Sequence, residues 1–215
     1  MRLGEGNMYC ALSFDDGPNT TTTYHMLEVL KKHGVKGSFF VIGQNVNPES
    51  EKAMKACSEY GCDIENHSWT HSFMNQLTED QIKDEISRTT KMIEEKIGVS
   101  PRFFRPPFIA VNDTMYENIN LPFICGMGCE DWVPEVSAEE RLKRMLDMAH
   151  DGVIYLLHDM EGNEASVEAV DKLIPLLKEK GFEFVTVPEI FEKCGVDPKT
   201  PKALWRNILQ EETNH

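Results

Sequence analysis

The chain has 215 residues, which suits one domain with or without a terminal extension, and 40% of them are hydrophobic, which excludes a disordered polymer. Its 22 basic and 36 acidic residues give a net charge of −14. That balance disfavours nucleic acid or an anionic membrane surface as partner and leaves a neutral or cationic substrate unopposed.

The opening stretch "MRLGEGNMYCALSF" reaches an apolar strand at once and carries no signal-peptide core. No apolar run approaches transmembrane length. As written, the chain is expected to be a cytoplasmic monomer. An excised catalytic domain of a secreted protein would be extracellular instead. The six cysteines contain no CxxC pair, and several lie in apolar runs such as "FICGMGC", so they read as small buried hydrophobes in a reducing setting.

In chain order, the strand candidates are "YCALSF" (9–14), "GSFFVI" (37–42), "CDIEN" (62–66), "RFFR" (102–105), "PFICG" (122–126), "VIYLL" (153–157) and "FEFVTV" (182–187). Amphipathic stretches lie between them. "TTTYHMLEVLKKHG" puts Met26, Leu27 and Leu30 on one face and stops at Gly34. "NPESEKAMKACSEYG" stops at Gly61. A helix opening at Thr78 carries Ile82, Ile86, Met92, Ile93 and Ile97 and stops at Gly98. Ser137 and Glu140 form the pattern of a capping box. "SVEAVDKLIPLLKEKG" is helical, with a kink expected at Pro175. About seven strand–helix units predict an α/β fold with parallel strands, first a distorted, partly closed (β/α) barrel and second an open doubly wound sheet. Residues 1–195 read as one catalytic domain. Residues 196–215 read as an extension with a short helix packed on that domain by Leu204, Trp205 and Ile208.

Polar clusters follow five of the strands. They are Asp15-Asp16, "HSWTH" (67–71), "RPPF" (105–108), "EDW" (130–132) and "HD" (158–159). Ligands of β/α folds bind at the carboxyl ends of the strands, so the five clusters should converge. His67 and His71 are spaced i, i+4, which on a helical turn places both imidazoles on one face. Asp16 can add an anionic third ligand for a divalent metal. Such a cation would keep the adjacent carboxylates ionised and leave Asp15 free to accept a proton from water. Arg105 is a second cation whose planar fork can hold a carboxylate, its direction set by Pro106-Pro107. His158 can protonate a leaving group, with Asp131 as its orienting partner and Glu130 or Asp159 as rivals. Trp132 and Leu156 could line a small apolar pocket, and plain core packing is the alternative for both. A two-metal phosphoesterase fits poorly, because there is one compact triad and no phosphate-cradling glycine loop.

"SFDDGPN", "HSWTH", "FFRPPF", "DW" and "VIYLLHD", in that order, resemble the five motifs of the polysaccharide deacetylases, the NodB-homology or family 4 carbohydrate esterases. The resemblance spans about residues 8–192. It implies a distorted barrel that removes acetyl groups from carbohydrates with one divalent metal, zinc first and cobalt or nickel next. It implies Asp15 as catalytic base, Asp16, His67 and His71 as metal ligands, and Arg105 as the residue positioning the base. The Phe108 backbone N–H would help hold the oxyanion. Asp131 would tune the acid His158, with Trp132 and Leu156 around the acetate. The wording of "NINLPFICGMGCEDWVP" and "GFEFVTVPEIF" is most similar to the acetylxylan-esterase branch, which implies O-acetyl esters of xylan or xylo-oligosaccharides as substrate. N-deacetylation of chitin oligosaccharides or peptidoglycan amino sugars is the alternative, and a non-catalytic carbohydrate-binding descendant a remote one. Two departures stand out. Gly128 occupies a position that is often acidic in the family, and Ile109 one that is often glycine.

Overall fold

The strand β1 (Met8–Asp15) organises the rest of the molecule, whose computed structural model describes residues 8–209. One edge of β1 pairs along six residues with β6 (Val153–His158), from Cys10 opposite Val153 to Asp15 opposite His158. The other edge is divided. Met8–Ala11 take β7 (Phe182–Val185), and Ser13–Asp15 take β2 (Ser38–Val41). β2 continues to β3 (Asp63–Asn66), and β6 to the two-residue β5 (Met127–Gly128). All these pairings are parallel, as the strand–helix alternation predicts.

Beyond β3 the ladder thins to single bridges, Asn66 with Phe104 and Phe104 with Phe123. They lead to β4 (Phe123–Ile124), which pairs with β8 (Leu204–Trp205). An antiparallel bridge from Asn207 to Val153 brings the chain back to β6. The sheet is therefore an incomplete ring, not a closed barrel. The strand expected at 102–105 is reduced to Phe104, because Pro106 and Pro107 follow directly and proline cannot donate to a ladder.

Helices α1 (Thr22–His33), α2 (Ser50–Tyr60), α3 (Glu79–Ile97), α4 (Asp113–Asn118), α5 (Ala138–Asp147), α6 (Glu164–Glu179) and α7 (Val187–Cys194) complete the chain. Thr78 caps α3 with a full capping box. Ser137 caps α5 by accepting the Glu140 N–H. α6 runs through Pro175 without interruption. The last strand stops two residues short of its expected end, because Thr186 opens α7 and the Glu189 carboxylate accepts its N–H at 2.9 Å. The helix expected after residue 195 is absent among the described residues. Pro198 and Pro201 interrupt it, and the free edge beside β4 recruits the segment instead, with the Cys125 and Gly126 N–H groups donating to the Trp205 carbonyl. Trp205 and Ile208 still pack on the domain, against a cluster that includes Phe103 and Phe191. Residues 210–215 lie outside the described residues.

Period-two alternation decides what faces the ring. Cys10, Leu12 and Phe14 of β1 and Val153, Tyr155 and Leu157 of β6 join the main core, with Leu27 and Leu30 of α1 and Leu173 and Leu177 of α6. The intervening residues point the other way. Ala11 and Ile154 join the second core, while Ser13, Leu156, Asp15 and His158 follow towards the carboxyl ends. The inner face is thus apolar at one end and ionisable at the other. No helix among the described residues is long and apolar enough to cross a membrane.

Candidate active site

All five polar clusters meet at the carboxyl ends of the strands. Asp15 ends β1 and His158 ends β6, on the same rung of the sheet. Asp16 lies one residue past the strand with φ 75°, and both carboxylates approach His67 Nε2, Asp15 Oδ2 at 3.7 Å and Asp16 Oδ1 at 3.5 Å. Next comes Gly17, where a Cβ would stand 2.5 Å from Asp159 Oδ2, so only glycine lets the turn pass this close. Asp159 is fully buried, and burial pushes its carboxyl up to about 7, helped by the charges of Asp16 and Asp15 and opposed by the Thr23 hydroxyl.

His67 and His71 do meet, with ring centroids 4.8 Å apart, but not on a helix. The segment after β3 is a loop in which Ser68 and His71 both adopt left-handed backbone angles, φ 66° and 57°. Glu85 on α3 shapes that loop. Its Oε2 accepts the N–H groups of Trp69 and Thr70, each at 2.8 Å, and its Oε1 accepts the Thr70 hydroxyl.

The donor atoms of Asp16, His67 and His71 lie within 4.8 Å of one another. His67 Nε2 is 3.5 Å and His71 Nε2 3.4 Å from Asp16 Oδ1. Those separations match the edge of a tetrahedron, about 3.4 Å for ligands held ~2.1 Å from zinc. Asp16 Oδ1 is buried and has no hydrogen-bond partner. The Arg105 carbonyl, which can only accept, sits 2.7 Å from His67 Nδ1. Nδ1 therefore carries the hydrogen, and the Nε2 lone pair faces the triad. Burial raises the Asp16 carboxyl, but His67, with His158 and His71, holds it down at about 2. Burial, then the neighbouring His67, lowers the His71 imidazole below its usual range. An ionised carboxylate and a neutral imidazole are the forms that bind metal. The donor set fits a divalent cation.

Arg105 is completely buried and donates from Nη1 to Asp15 Oδ1 at 2.6 Å and from Nη2 to Ser13 Oγ at 2.7 Å. Ser13 passes the constraint on by donating to the Tyr155 carbonyl. The guanidinium lies 4.2 Å over the Phe40 ring. Asp15 is thus clamped on one oxygen, while its Oδ2 stands 3.7 Å from His67 Nε2.

Across the site, Asp131 Oδ1 meets His158 Nδ1 at 2.8 Å, and Asp131 Oδ2 accepts the His158 backbone N–H. The rivals for this contact are elsewhere. Glu130 pairs with Arg144, and Asp159 bonds Thr23. Burial alone would lower the His158 imidazole, but Asp131, then Asp15 and Asp16, push it up to about 9. Leu156 is buried and Trp132 about half exposed, its ring edge-on to His158 at 5.5 Å. Gly128 lies between them, where a Cβ would be 3.3 Å from Trp132 and 3.6 Å from Leu156. Its missing side chain lets the indole close on the leucine. Phe108 and Ile109 adopt φ 58° and 55° in succession. A glycine at 109 would do so freely, whereas β-branched isoleucine is strained there. The turn exposes the Phe108 ring, edge-on to His71 at 4.6 Å and stacked on exposed Phe73 at 4.0 Å.

The chain as a whole is similar to known proteins. The family model described as polysaccharide deacetylase matches residues 5–122, more than half of the chain. The chain belongs to the polysaccharide deacetylase family. Its relatives within that family include a bifunctional xylanase/deacetylase of Pseudobutyrivibrio xylanivorans, 44% identical over 92% of this chain and 33% of that protein. The peptidoglycan-N-acetylglucosamine deacetylase PgdA of Listeria monocytogenes is 36% identical over 86% of this chain and 39% of its own. This deacetylase-family chain thus spans a third to two fifths of the length of these curated relatives. A solved family 4 acetyl xylan esterase from Clostridium thermocellum, in complex with a cobalt ion, superposes with a TM-score of 0.90 at 38% identity, covering 94% of this chain and all of the other.

The sequence alone assigns no role to Ser13, although it opens "SFDDGPN", nor to Glu85 or Phe73. Glu85 had a signal, because it is a carboxylate on the buried face of α3 that also carries Ile82, Thr89 and Met92. A polar residue on an apolar helix face has to bond something.

Proposed function

We propose that the chain is a metal-dependent carbohydrate deacetylase acting on O-acetyl esters of xylan or xylo-oligosaccharides. The observation that carries this is the shared rung of Asp15 and His158, with the Asp16–His67–His71 triad beside it. One carboxylate held by an arginine, one imidazole held by a carboxylate and one cation cradle are what a hydrolysis without a covalent enzyme intermediate needs. Asp16, His67 and His71 would hold one divalent cation, zinc first, with cobalt or nickel as alternatives. When bound, the cation supplies Lewis acidity to the acetyl carbonyl and to a water.

The chain's own groups do the rest. Asp15 accepts the proton of the attacking water, its carboxylate oriented by Arg105. The Phe108 N–H donates to the developing oxyanion. His158 gives its Nε2 proton to the departing sugar oxygen, while Asp131 supports the imidazolium. Leu156 and Trp132 shape the acetyl pocket. The exposed rings of Phe73, Phe108 and Trp132 on both sides of the centre suit the apolar faces of a sugar chain. The xylanase and acetyl xylan esterase relatives support an ester of xylan. The Listeria relative supports the second reading, an N-acetyl amino sugar. Acetate release from acetylated xylo-oligosaccharides, chito-oligosaccharides and peptidoglycan fragments, with and without chelator, tests both. The expected result is release from xylo-oligosaccharides that stops with chelator and returns with zinc. Release from amino sugars alone would overturn the xylan reading, and chelator-insensitive release the metal.

A further inference from the structure

Behind the His158–Asp131 pair lies a second layer of buried polar side chains that hands hydrogen bonds on towards Asp131. Arg141 on α5 is almost completely buried, 2% exposed, although arginine at such a position is uncommon without partners. Its buried neighbours along α5 are Ala138 and Met145, so it stands on the core-facing stripe of the helix. The guanidinium can only donate. Nη1 donates to Asn163 Oδ1 at 2.5 Å and to Ser166 Oγ at 3.1 Å. Nε and Nη2 donate to the carbonyls of Val136 and Val133, which tie down the loop after Asp131 and Trp132.

These contacts set the orientation of the next two groups. Because Arg141 occupies the amide oxygen of Asn163, the Asn163 nitrogen must face the other way. It donates to the His158 carbonyl at 2.9 Å and to Ser166 Oγ at 3.1 Å, and reaches Asp131 Oδ2 at 3.5 Å. Ser166 Oγ therefore accepts from both Arg141 and Asn163, and its own hydrogen is left for Asp131 Oδ2 at 2.7 Å. With the His158 N–H, Asp131 Oδ2 is surrounded by donors, and Asp131 has no place for a proton on that oxygen. Three donors gathered on Oδ2 favour the charged carboxylate, whose Oδ1 can only accept, so His158 Nδ1 is the donor to it and Nε2 is left as the atom facing the reaction.

We infer that Arg141, Asn163 and Ser166 are positioning residues for the general acid: a one-way chain of hydrogen bonds from a buried guanidinium keeps Asp131 a pure acceptor and thereby sets the tautomer of His158. A merely space-filling cluster would not need the relay from Arg141 Nη1 through Asn163 and Ser166 to end on one carboxylate oxygen. The inference rests on the reaction proposed above, and it assigns to α5 and α6 a catalytic support that lies outside the sequence motifs. A chain of this kind acts through another group, so its effect depends on how much the leaving group needs a proton.

Leaving-group dependence is the test. Turnover of the acetylated oligosaccharide that the metal-loaded chain uses best is compared with that of 4-nitrophenyl acetate, whose nitrophenolate leaves without protonation. Positioned general acids contribute roughly 10²–10⁴-fold, so Ser166→Ala should lower kcat on the oligosaccharide about 10-fold and Arg141→Met about 100-fold, with the aryl ester within about twofold of the parent chain. Bound metal per chain should not change. Ser166→Ala removes a single oxygen and keeps the test open if Arg141→Met fails to fold. Equal losses on both esters, or no loss on either, would overturn the inference while leaving the deacetylase reading intact. A parent chain inactive on both esters would overturn that reading and the inference with it.

Discussion

The two sides of the cleft are built differently. The cation side stands on irregular backbone, with Asp16, Ser68, His71, Phe108 and Ile109 all at positive φ. The acid side rests more on regular elements, with His158 on β6, Ser166 on α6 and Arg141 on α5, although Asp131 sits in a turn just after Glu130 at φ 60°. Irregular backbone can aim three side chains at one point within a few residues, at a cost in strain. Regular elements aim less freely, so the acid is oriented by a long series of hydrogen bonds. Strain on one side and buried polarity on the other are two ways to hold a geometry that packing alone would not select.

The largest expected effect lies where the sides meet. Asp15→Asn keeps the size of the base and removes its basicity, so kcat should fall by about 10³-fold or more with bound metal per chain unchanged. Near-normal turnover in that variant would remove Asp15 from the chemistry. On the acid side, the His158 imidazole of the metal-free chain should titrate near 9 by NMR, above its unfolded value. A raised folded pKa means that its contribution to stability is fully present below about 6.5 and lost as pH rises through about 9. Asp131→Asn should lower that titration, because burial is then opposed only by the charges of Asp15 and Asp16. No movement would sever His158 from Asp131.

The cation side responds through its loop. Glu85→Gln leaves every ligand in place but weakens the two N–H contacts at Trp69 and Thr70. Groups that orient ligands are worth about 10–100-fold in metal affinity, and a competition titration with a chelator should show a loss in that range. Affinity equal to that of the parent chain would mean that the loop is held by its own backbone. The smallest effect is at Ile109. Relief of its left-handed strain by Ile109→Gly should stabilise the chain by about 1 kcal/mol in denaturant unfolding. Destabilisation would show that Ile109 packing outweighs the strain.

The same contrast explains what could be read from the sequence. The cation side was legible because Asp15-Asp16, His67 and His71, and Arg105 lie in short contiguous motifs, each after a recognisable strand. Even there the reason was different, since His71 joins His67 through a left-handed loop and not a helical turn. Asp131 and His158 were legible too, in "DW" and "VIYLLHD", but their support comes from residues 141, 163 and 166, whose sequence signal is at most a polar side chain on a helix stripe otherwise apolar, as with Arg141 and Ser166. In the fold, the strong apolar runs of β1, β2 and β6 were plain. Phe104 and Leu204–Trp205 were not, because one-residue bridges and two-residue strands depend on an open edge elsewhere in the chain and not on local pattern.

In the proposed site, one cation held by Asp16, His67 and His71 makes Asp15 and His158 competent for deacetylation. Titration of zinc into the metal-stripped chain, with acetate release from acetylated xylo-oligosaccharide followed at each step, tests it most directly. Activity should rise from near zero in proportion to added zinc and level off at one ion per chain, and His71→Ala should abolish that plateau. Full activity before any metal is added, or a rise that continues to two ions per chain, would rule out a single catalytic cation held by Asp16, His67 and His71.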